Sequence, residues 1–163
     1  MTLIAAVDRN WGIGHRGAPL FYIPADLRRF KALTMGRALL MGRKTFDSLP
    51  KRGGLPGLLP GRARVVLSRD PDFHPTGVTV LRSLDEARLY AQNHETFLIG
   101  GGELYAALLD SCAQALITKI DAAREADAFM PSLDALTEWV LTDEGPWQEE
   151  GGVRFRFCRY ERL

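Results

Sequence analysis

Short apolar runs alternate with stretches of helical periodicity up to about residue 110, and this alternation constrains the fold more than any other feature of the chain. Leu3 to Val7 is unbroken apolar sequence, too short for a helix and ended by Asp8, which predicts a strand buried on both faces. Pro24 suits the first turn of a helix that runs through Leu27, Phe30 and Leu33 and stops at Gly36. Ala38 to Met41 reads as the next strand, and Gly-Arg-Lys-Thr then opens a helix through Phe46 and Leu49. Val65 to Leu67 and Val78 to Leu81 read as strands, and Ser83 with Glu86 forms a capping-box pattern at the start of a helix through Ala87 and Tyr90. Thr96 to Ile99 is a strand closed by three glycines and followed by an amphipathic helix through Leu104, Tyr105, Leu108 and Leu109. After that helix, Ala115 to Ile120, Trp139 to Thr142 and Val153 to Tyr160 read as strands without helices between them.

The expectation is an α/β fold, one domain over residues 1–163, with a mainly parallel central sheet, an antiparallel C-terminal strand and helices on both faces. Such a sheet places ligand sites on loops at the carboxyl ends of its strands. Two segments lack periodicity. Residues 9–23, with Gly12, Gly14, Gly17 and Pro19, read as a long lid-like loop, and residues 50–61 hold enough Gly and Pro to be a surface loop.

Composition narrows the function classes. With 163 residues, 46% hydrophobic and 25% charged, the chain is of ordinary globular make-up and long enough for one core. Its 21 basic and 20 acidic residues leave a net charge of +1, which gives no broad attraction to nucleic acid or membrane, so any anion must be met locally. Cys112, Cys158 and the three histidines are scattered, without the spacing of a zinc site, and no metal is expected. The cysteines read as buried thiols. The start of the chain has no basic segment and no long apolar run follows, so the expectation is a cytoplasmic protein, with a monomer as the default.

The candidate chemistry lies at helix starts and strand ends. Asp26 shares the helix face of Phe30 and Leu33. An acid in a first helical turn can simply complement the helix dipole. A carboxylate on an apolar face can instead anchor a cationic or donor-rich ligand. The residues alone leave both readings open. Gly100-Gly101-Gly102 between a strand and a helix lets backbone approach a phosphate, although it departs from the dinucleotide fingerprint because the sixth position is Tyr105. A tight turn is the alternative. Gly42-Arg43-Lys44-Thr45 and Leu67-Ser68-Arg69 repeat the anion-ready arrangement, and Ser68 with Arg69 suits a phosphate monoester, the group that separates NADP from NAD. Together these strand ends suggest an extended ligand with several phosphates.

Taken in order, the motifs resemble dihydrofolate reductase across essentially the whole chain. Ile4-Ala5-Ala6-Val7-Asp8 with Gly12-Ile13-Gly14 resembles the first strand and lid of that family, and Ile23-Pro24-Ala25-Asp26-Leu27 with Phe30 resembles its acid-bearing helix. Met41 to Phe46, Leu59-Pro60-Gly61-Arg62, Leu67-Ser68-Arg69, Ile99 to Tyr105 and Thr118-Lys119-Ile120-Asp121 follow in family order.

The resemblance implies NADPH as cofactor and 7,8-dihydrofolate as substrate, with hydride transfer to pterin C6 and protonation at N5. It makes Asp26 the anchor for the pterin, with Thr118 hydrogen-bonded nearby, and places Ala6, Leu27, Phe30, Leu49 and Ile99 around the substrate. Arg62 would pair with the glutamate α-carboxylate, a task suited to its bidentate fork. Ala6, Ile13, Gly14, Gly42, Arg43, Lys44, Thr45, Leu67, Ser68, Arg69 and Ile99 would meet the cofactor, as would the run Gly100, Gly101, Gly102, Glu103, Leu104 and Tyr105. A cis bond is implied at Gly100-Gly101. Asp26 would orient and tune, with water as the immediate proton donor.

Two departures stand out. Pro19-Leu20-Phe21-Tyr22-Ile23-Pro24-Ala25-Asp26 replaces the family's Leu-Pro-Trp-x-Leu-Pro-x-Asp, so Phe21, grouped with the catalytic residues by position, lacks an indole N–H to hold water. Ala126-Asp127-Ala128 stands where Gly-Asp-Thr is common, removing a hydroxyl. A pyrimidine reductase of riboflavin synthesis and a catalytically silent folate- or nucleotide-binding relative are the alternatives. Asp26 and Arg62 argue against the first, and Phe21 keeps the second open.

Overall fold

The computed structural model describes residues 1–49 and 60–163. The surface loop expected over residues 50–61 lies mostly outside them, as does Leu59 of the Leu-Pro-Gly-Arg motif. The elements run β1 (Thr2–Val7), β2 (Gly12–His15), β3 (Ala18–Pro19), α1 (Pro24–Thr34), β4 (Ala38–Gly42), α2 (Arg43–Ser48), β5 (Ala63–Leu67) and β6 (Val78–Leu81). They continue with α3 (Leu84–Asn93), β7 (Thr96–Leu98), α4 (Gly102–Leu108), β8 (Gln114–Ile120), β9 (Ala128–Phe129), β10 (Trp139–Glu144), β11 (Gln148–Glu150) and β12 (Val153–Arg162).

The main sheet has the order β10-β12-β8-β1-β7-β4-β5-β6, with β11 paired to β12. From β8 to β6 every pairing is parallel, because each crossover carries the chain back past the sheet before the next strand. β8 is still parallel to β1; among the described residues the antiparallel part of this sheet comes from β10, β11 and β12. Alternate strand residues serve opposite faces. Leu3, Leu40, Val65, Leu98 and Ile117 join Ala87 and Leu108, from α3 and α4, in one buried cluster. Ile4, Leu39, Met41, Val66 and Leu116 join Phe46, Phe30 and Leu33, from α2 and α1, in another. Cys112 and Cys158 are buried, unpaired thiols, and burial pushes Cys112 up to about 11. Among the described residues, no helix is long and apolar enough to cross a membrane.

The helix boundaries follow local chemistry. α1 begins on Pro24, where a missing N–H costs nothing, and its end is sealed by the Met35 N–H donating to Lys31 O before Gly36 turns at φ +80°. α3 starts where the Ser83 hydroxyl accepts from the Glu86 N–H, while the Glu86 carboxylate accepts from the Arg82 N–H, one residue before the position a capping box uses.

The expectation of an irregular loop over residues 9–23 needs a correction. Residues 9–23 contain an ordered hairpin, β2 with β3, and β9 pairs with β2 on the other side. Arg16 and Gly17 carry φ +50° and +78°, the sign both central residues need in a tight hairpin turn. Strands of two to four residues leave no readable alternation. Buried Asp8 fixes the base of the hairpin by accepting from the N–H groups of Asn10, Gly12 and Arg124 at 2.8, 2.9 and 3.2 Å. Its far end is tied by Asp127, whose N–H donates to Gly14 O at 3.0 Å and whose carboxylate accepts from the Arg16 N–H at 2.9 Å.

Candidate active site

Asp26 lies in the first turn of α1, on the side that faces the sheet. Thr118 lies within β8, paired with Ala6 of β1 on one side and Phe157 of β12 on the other. The Thr118 hydroxyl donates to Asp26 Oδ1 at 2.6 Å. Thr118 is buried and Asp26 partly so. Burial raises the Asp26 carboxyl above its ordinary range, and this outweighs the opposing pull of the Thr118 hydrogen bond and the Arg29 charge. A carboxylate placed to cap the helix would face water. This one is partly buried and held by a partner on another element, an arrangement that a dipole role alone does not account for.

Around it the expected substrate residues divide into groups. Ala6 and Phe21 pack against Ile23, Ile120 and Phe155 beside Asp26. Phe30, Leu49 and Ile99 share a cluster with Ile4, Met41 and Phe46. Leu27, next to Asp26 on α1, belongs to neither cluster and is 51% exposed. Arg62 sits at the far end of α1, its Nη1 3.3 Å from the Thr34 hydroxyl and its guanidinium carbon 5.9 Å from the centre of the Phe30 ring. Arg62 Nε is buried without a hydrogen-bond partner among the described residues, an unmet donor of the kind a ligand carboxylate satisfies.

The cofactor residues cluster at the carboxyl ends of β4, β5 and β7. The Gly42 N–H donates to Gly100 O at 2.8 Å, which brings the Gly42 and Gly100-Gly101-Gly102 turns side by side. The Gly100-Gly101 peptide is cis, as the resemblance implied. Gly100 has φ +111°, and a Cβ on Gly102 would stand 2.2 Å from Phe129 O, so both positions require glycine. A Cβ on Gly101 would sit 3.5 Å from the Thr45 hydroxyl, inside the bare backbone surface that the two turns share. This surface and the exposed Lys44 and Arg69 fit a polyphosphate ligand. Ser68 is buried, and its hydroxyl accepts from the Asp70 N–H at 3.3 Å. Ile13 and Gly14 lie in β2, Leu67 ends β5, and Glu103 is exposed on α4. Leu104 and Tyr105 are in the core, and the Tyr105 hydroxyl donates to Ile4 O at 2.7 Å, so both back the glycine turn from behind.

This constellation has counterparts in known proteins. The family model for dihydrofolate reductase matches residues 1–162. The chain belongs to the dihydrofolate reductase family. Among relatives of this reductase, the dihydrofolate reductase of Neisseria meningitidis serogroup B is 36% identical over 164 residues, covering 99% of this chain and 98% of the relative. That of Mycobacterium tuberculosis is 40% identical over 164 residues, covering 98% and 96%. The solved structure of dihydrofolate reductase from Enterococcus faecalis, complexed with NADP(H) and RAB-propyl, superposes with a TM-score of 0.86 at 30% identity, covering 99% of this chain and 95% of that one.

The sequence reading missed several residues. Arg29, one helical turn beyond Asp26, stacks with its guanidinium carbon 4.2 Å from the centre of the Phe157 ring, and its charge acts on the Asp26 carboxylate. The i, i+3 spacing was the available signal. Arg124 lies 4.0 Å over the Phe21 ring, and the Glu150 carboxylate accepts from the Ala25 N–H at 2.8 Å. Those two contacts join distant parts of the chain and leave no local trace.

Proposed function

We propose that this chain reduces 7,8-dihydrofolate to 5,6,7,8-tetrahydrofolate with NADPH, and that Asp26 anchors the pterin. The observation that carries the proposal is the desolvated Asp26 carboxylate held by Thr118 one strand from Ala6, in a member of the dihydrofolate reductase family. Bound NADPH supplies the hydride that reaches pterin C6. Asp26 accepts hydrogen bonds from pterin N3–H and the 2-amino group, which fixes the ring's orientation and lowers the cost of charge at the reacting end. Thr118 holds the carboxylate in that orientation. Ala6, Phe21, Leu27, Phe30, Leu49 and Ile99 enclose the rings and exclude water, and Arg62 takes the α-carboxylate of the glutamate tail. Ile13 and Gly14, in β2, would meet the nicotinamide side of the cofactor, and Gly42, Leu67 and the run Gly100 to Tyr105 would cradle it. Arg43, Lys44, Thr45, Ser68 and Arg69 hold its phosphates. The proton for N5 comes from water, since Asp26 is committed to N3 and the 2-amino group.

Asp26 and Arg62 favour this substrate over a ribitylamino pyrimidine, which offers neither a pterin edge nor a glutamate tail. The two buried, unpaired thiols fit a reducing cytoplasm, and we take one chain as the working unit. The deciding experiment mixes purified protein with NADPH and dihydrofolate and follows cofactor oxidation. Stoichiometric conversion to tetrahydrofolate is expected. Absence of turnover by folded protein overturns the proposal.

A further inference from the structure

The cation at the end of β4 is already paired with carboxylates that a phosphate would have to compete with. Arg43 Nε lies 3.1 and 3.2 Å from the two carboxylate oxygens of Asp47, and its Nη1 lies 3.6 Å from Asp70 Oδ2. The flat face of the same guanidinium sits 3.9 Å from the centre of the buried Phe73 ring, which in turn meets Phe46 edge-on at 5.5 Å. One edge, one terminal nitrogen and one face are therefore engaged. Asp70 is held in place: Arg82 bonds the carbonyls of Ser68, Asp70 and Phe73, and Asp70 Oδ1 accepts from the Asp72 N–H at 2.9 Å. Across this turn, β4 and β5 are in register at Gly42 and Leu67, so Arg43 and Ser68 leave the sheet side by side. Among the described residues, Lys44 and Arg69 form no ion pair.

A phosphate monoester arriving between Arg43 and Ser68 meets a guanidinium whose charge two carboxylates already balance. We infer that Asp70 limits the preference of this enzyme for NADPH over NADH, because its carboxylate competes with the adenosine 2′-phosphate for Arg43. The inference rests on the NADPH-binding part of the reading given above. NADH carries a hydroxyl at the same position and does not enter the competition. The pairs are half-exposed, with Arg43 at 40% and Asp70 at 50%, so the competition is screened and modest in size.

Binding of the oxidised cofactors NADP⁺ and NAD⁺, measured by titration calorimetry at low salt, separates this inference from the reductase reading because it requires no turnover. Asp70→Asn keeps the Oδ1 acceptor for Asp72 and removes only the charge. It is expected to tighten NADP⁺ about 2- to 5-fold and leave NAD⁺ unchanged, with the gain fading at high salt. In an Arg43→Met background, which keeps an apolar stem on Phe73, the same substitution is expected to give no gain. Unchanged NADP⁺ affinity in Asp70→Asn overturns the inference, as does an equal shift for both cofactors or a gain that survives the loss of Arg43. The single-variant comparison decides the matter even where Arg43→Met does not fold. Absent dihydrofolate turnover with intact NADP⁺ binding would instead remove the reductase reading and leave Asp70's role standing.

Discussion

Thr118 and Asp26, 92 residues apart in sequence, are joined by a hydrogen bond of 2.6 Å between a buried strand and the first turn of a helix. That bond stabilises the ionised carboxylate, yet burial still leaves the carboxyl raised. The folded protein therefore holds the Asp26 proton more tightly than the unfolded chain does, so folding loses stability as pH rises through the raised pKa. Asp26→Asn is expected to raise thermal stability near neutral pH, by about 0.5–2 kcal/mol, and to lose that advantage in acid, where the native carboxyl is already neutral. The same variant is expected to lose at least about 100-fold in kcat/KM for dihydrofolate while keeping NADPH affinity within about 2-fold. Scanning calorimetry at two pH values and steady-state kinetics check both halves. Equal loss of substrate and cofactor affinity would make Asp26 a structural acid.

Arg29 opposes the effect of burial on Asp26 from one turn along the same helix, and Thr118 opposes it from β8. Removing the cation should push the carboxyl further up. Arg29→Met, which keeps apolar contact with Phe157, is expected to move the Asp26 titration midpoint to higher pH, and Arg29→Lys to leave it close to the native value. A carbon-detected NMR titration of the side-chain carboxyl reads this directly. A midpoint that stays put in Arg29→Met would confine Arg29 to packing.

Among the described residues Arg62 presents a buried Nε without a partner and an Nη1 that donates to the Thr34 hydroxyl at 3.3 Å, while that hydroxyl donates to Phe30 O at 2.7 Å. Arg62→Leu is expected to raise KM for dihydrofolate by about 10- to 100-fold, the loss of a charge-assisted bidentate contact. A dihydropteridine without the glutamate tail should show the same KM with either protein. Parallel losses for both substrates would move the tail contact elsewhere.

What could be read from the sequence was what local pattern dictates. Apolar runs such as Leu3 to Val7 and Ala38 to Met41 became parallel strands, and Ser83 with Glu86 began α3. The face shared by Asp26, Phe30 and Leu33 correctly turned the acid inward. Its partner Thr118 entered only through family resemblance, because a contact across 92 residues leaves no spacing to read. β2, β3 and β9 were missed since their pairing depends on Asp8 and Asp127 tying distant backbone together. Arg43 shows the same limit at the cofactor end. Its cation was legible at the strand end, and Asp47 four residues on was a readable helix pair. Asp70 reaches it only because β4 and β5 are neighbours in the sheet.

Away from the ligand cleft, Tyr160 donates to Asp134 Oδ1 at 2.5 Å while Lys119 Nζ donates to Oδ2 at 2.9 Å. Burial acts to raise the Asp134 carboxyl, but the Tyr160 and Lys119 hydrogen bonds and the Lys119 charge outweigh it and hold the group below its usual range. A depressed carboxyl contributes stability above its unfolded pKa and loses it as pH falls through the folded one. Tyr160→Phe keeps the ring, its edge-on contact with Trp11 at 6.1 Å and its neighbour Lys119 at 5.3 Å, so it isolates the hydroxyl. The variant is expected to cost about 1–2 kcal/mol in urea unfolding near neutral pH. In acid the protonated Asp134 gains less from the phenol, and the penalty should shrink. A penalty of the same size at both pH values would mean that the Tyr160 hydroxyl stabilises the fold without reference to the charge on Asp134.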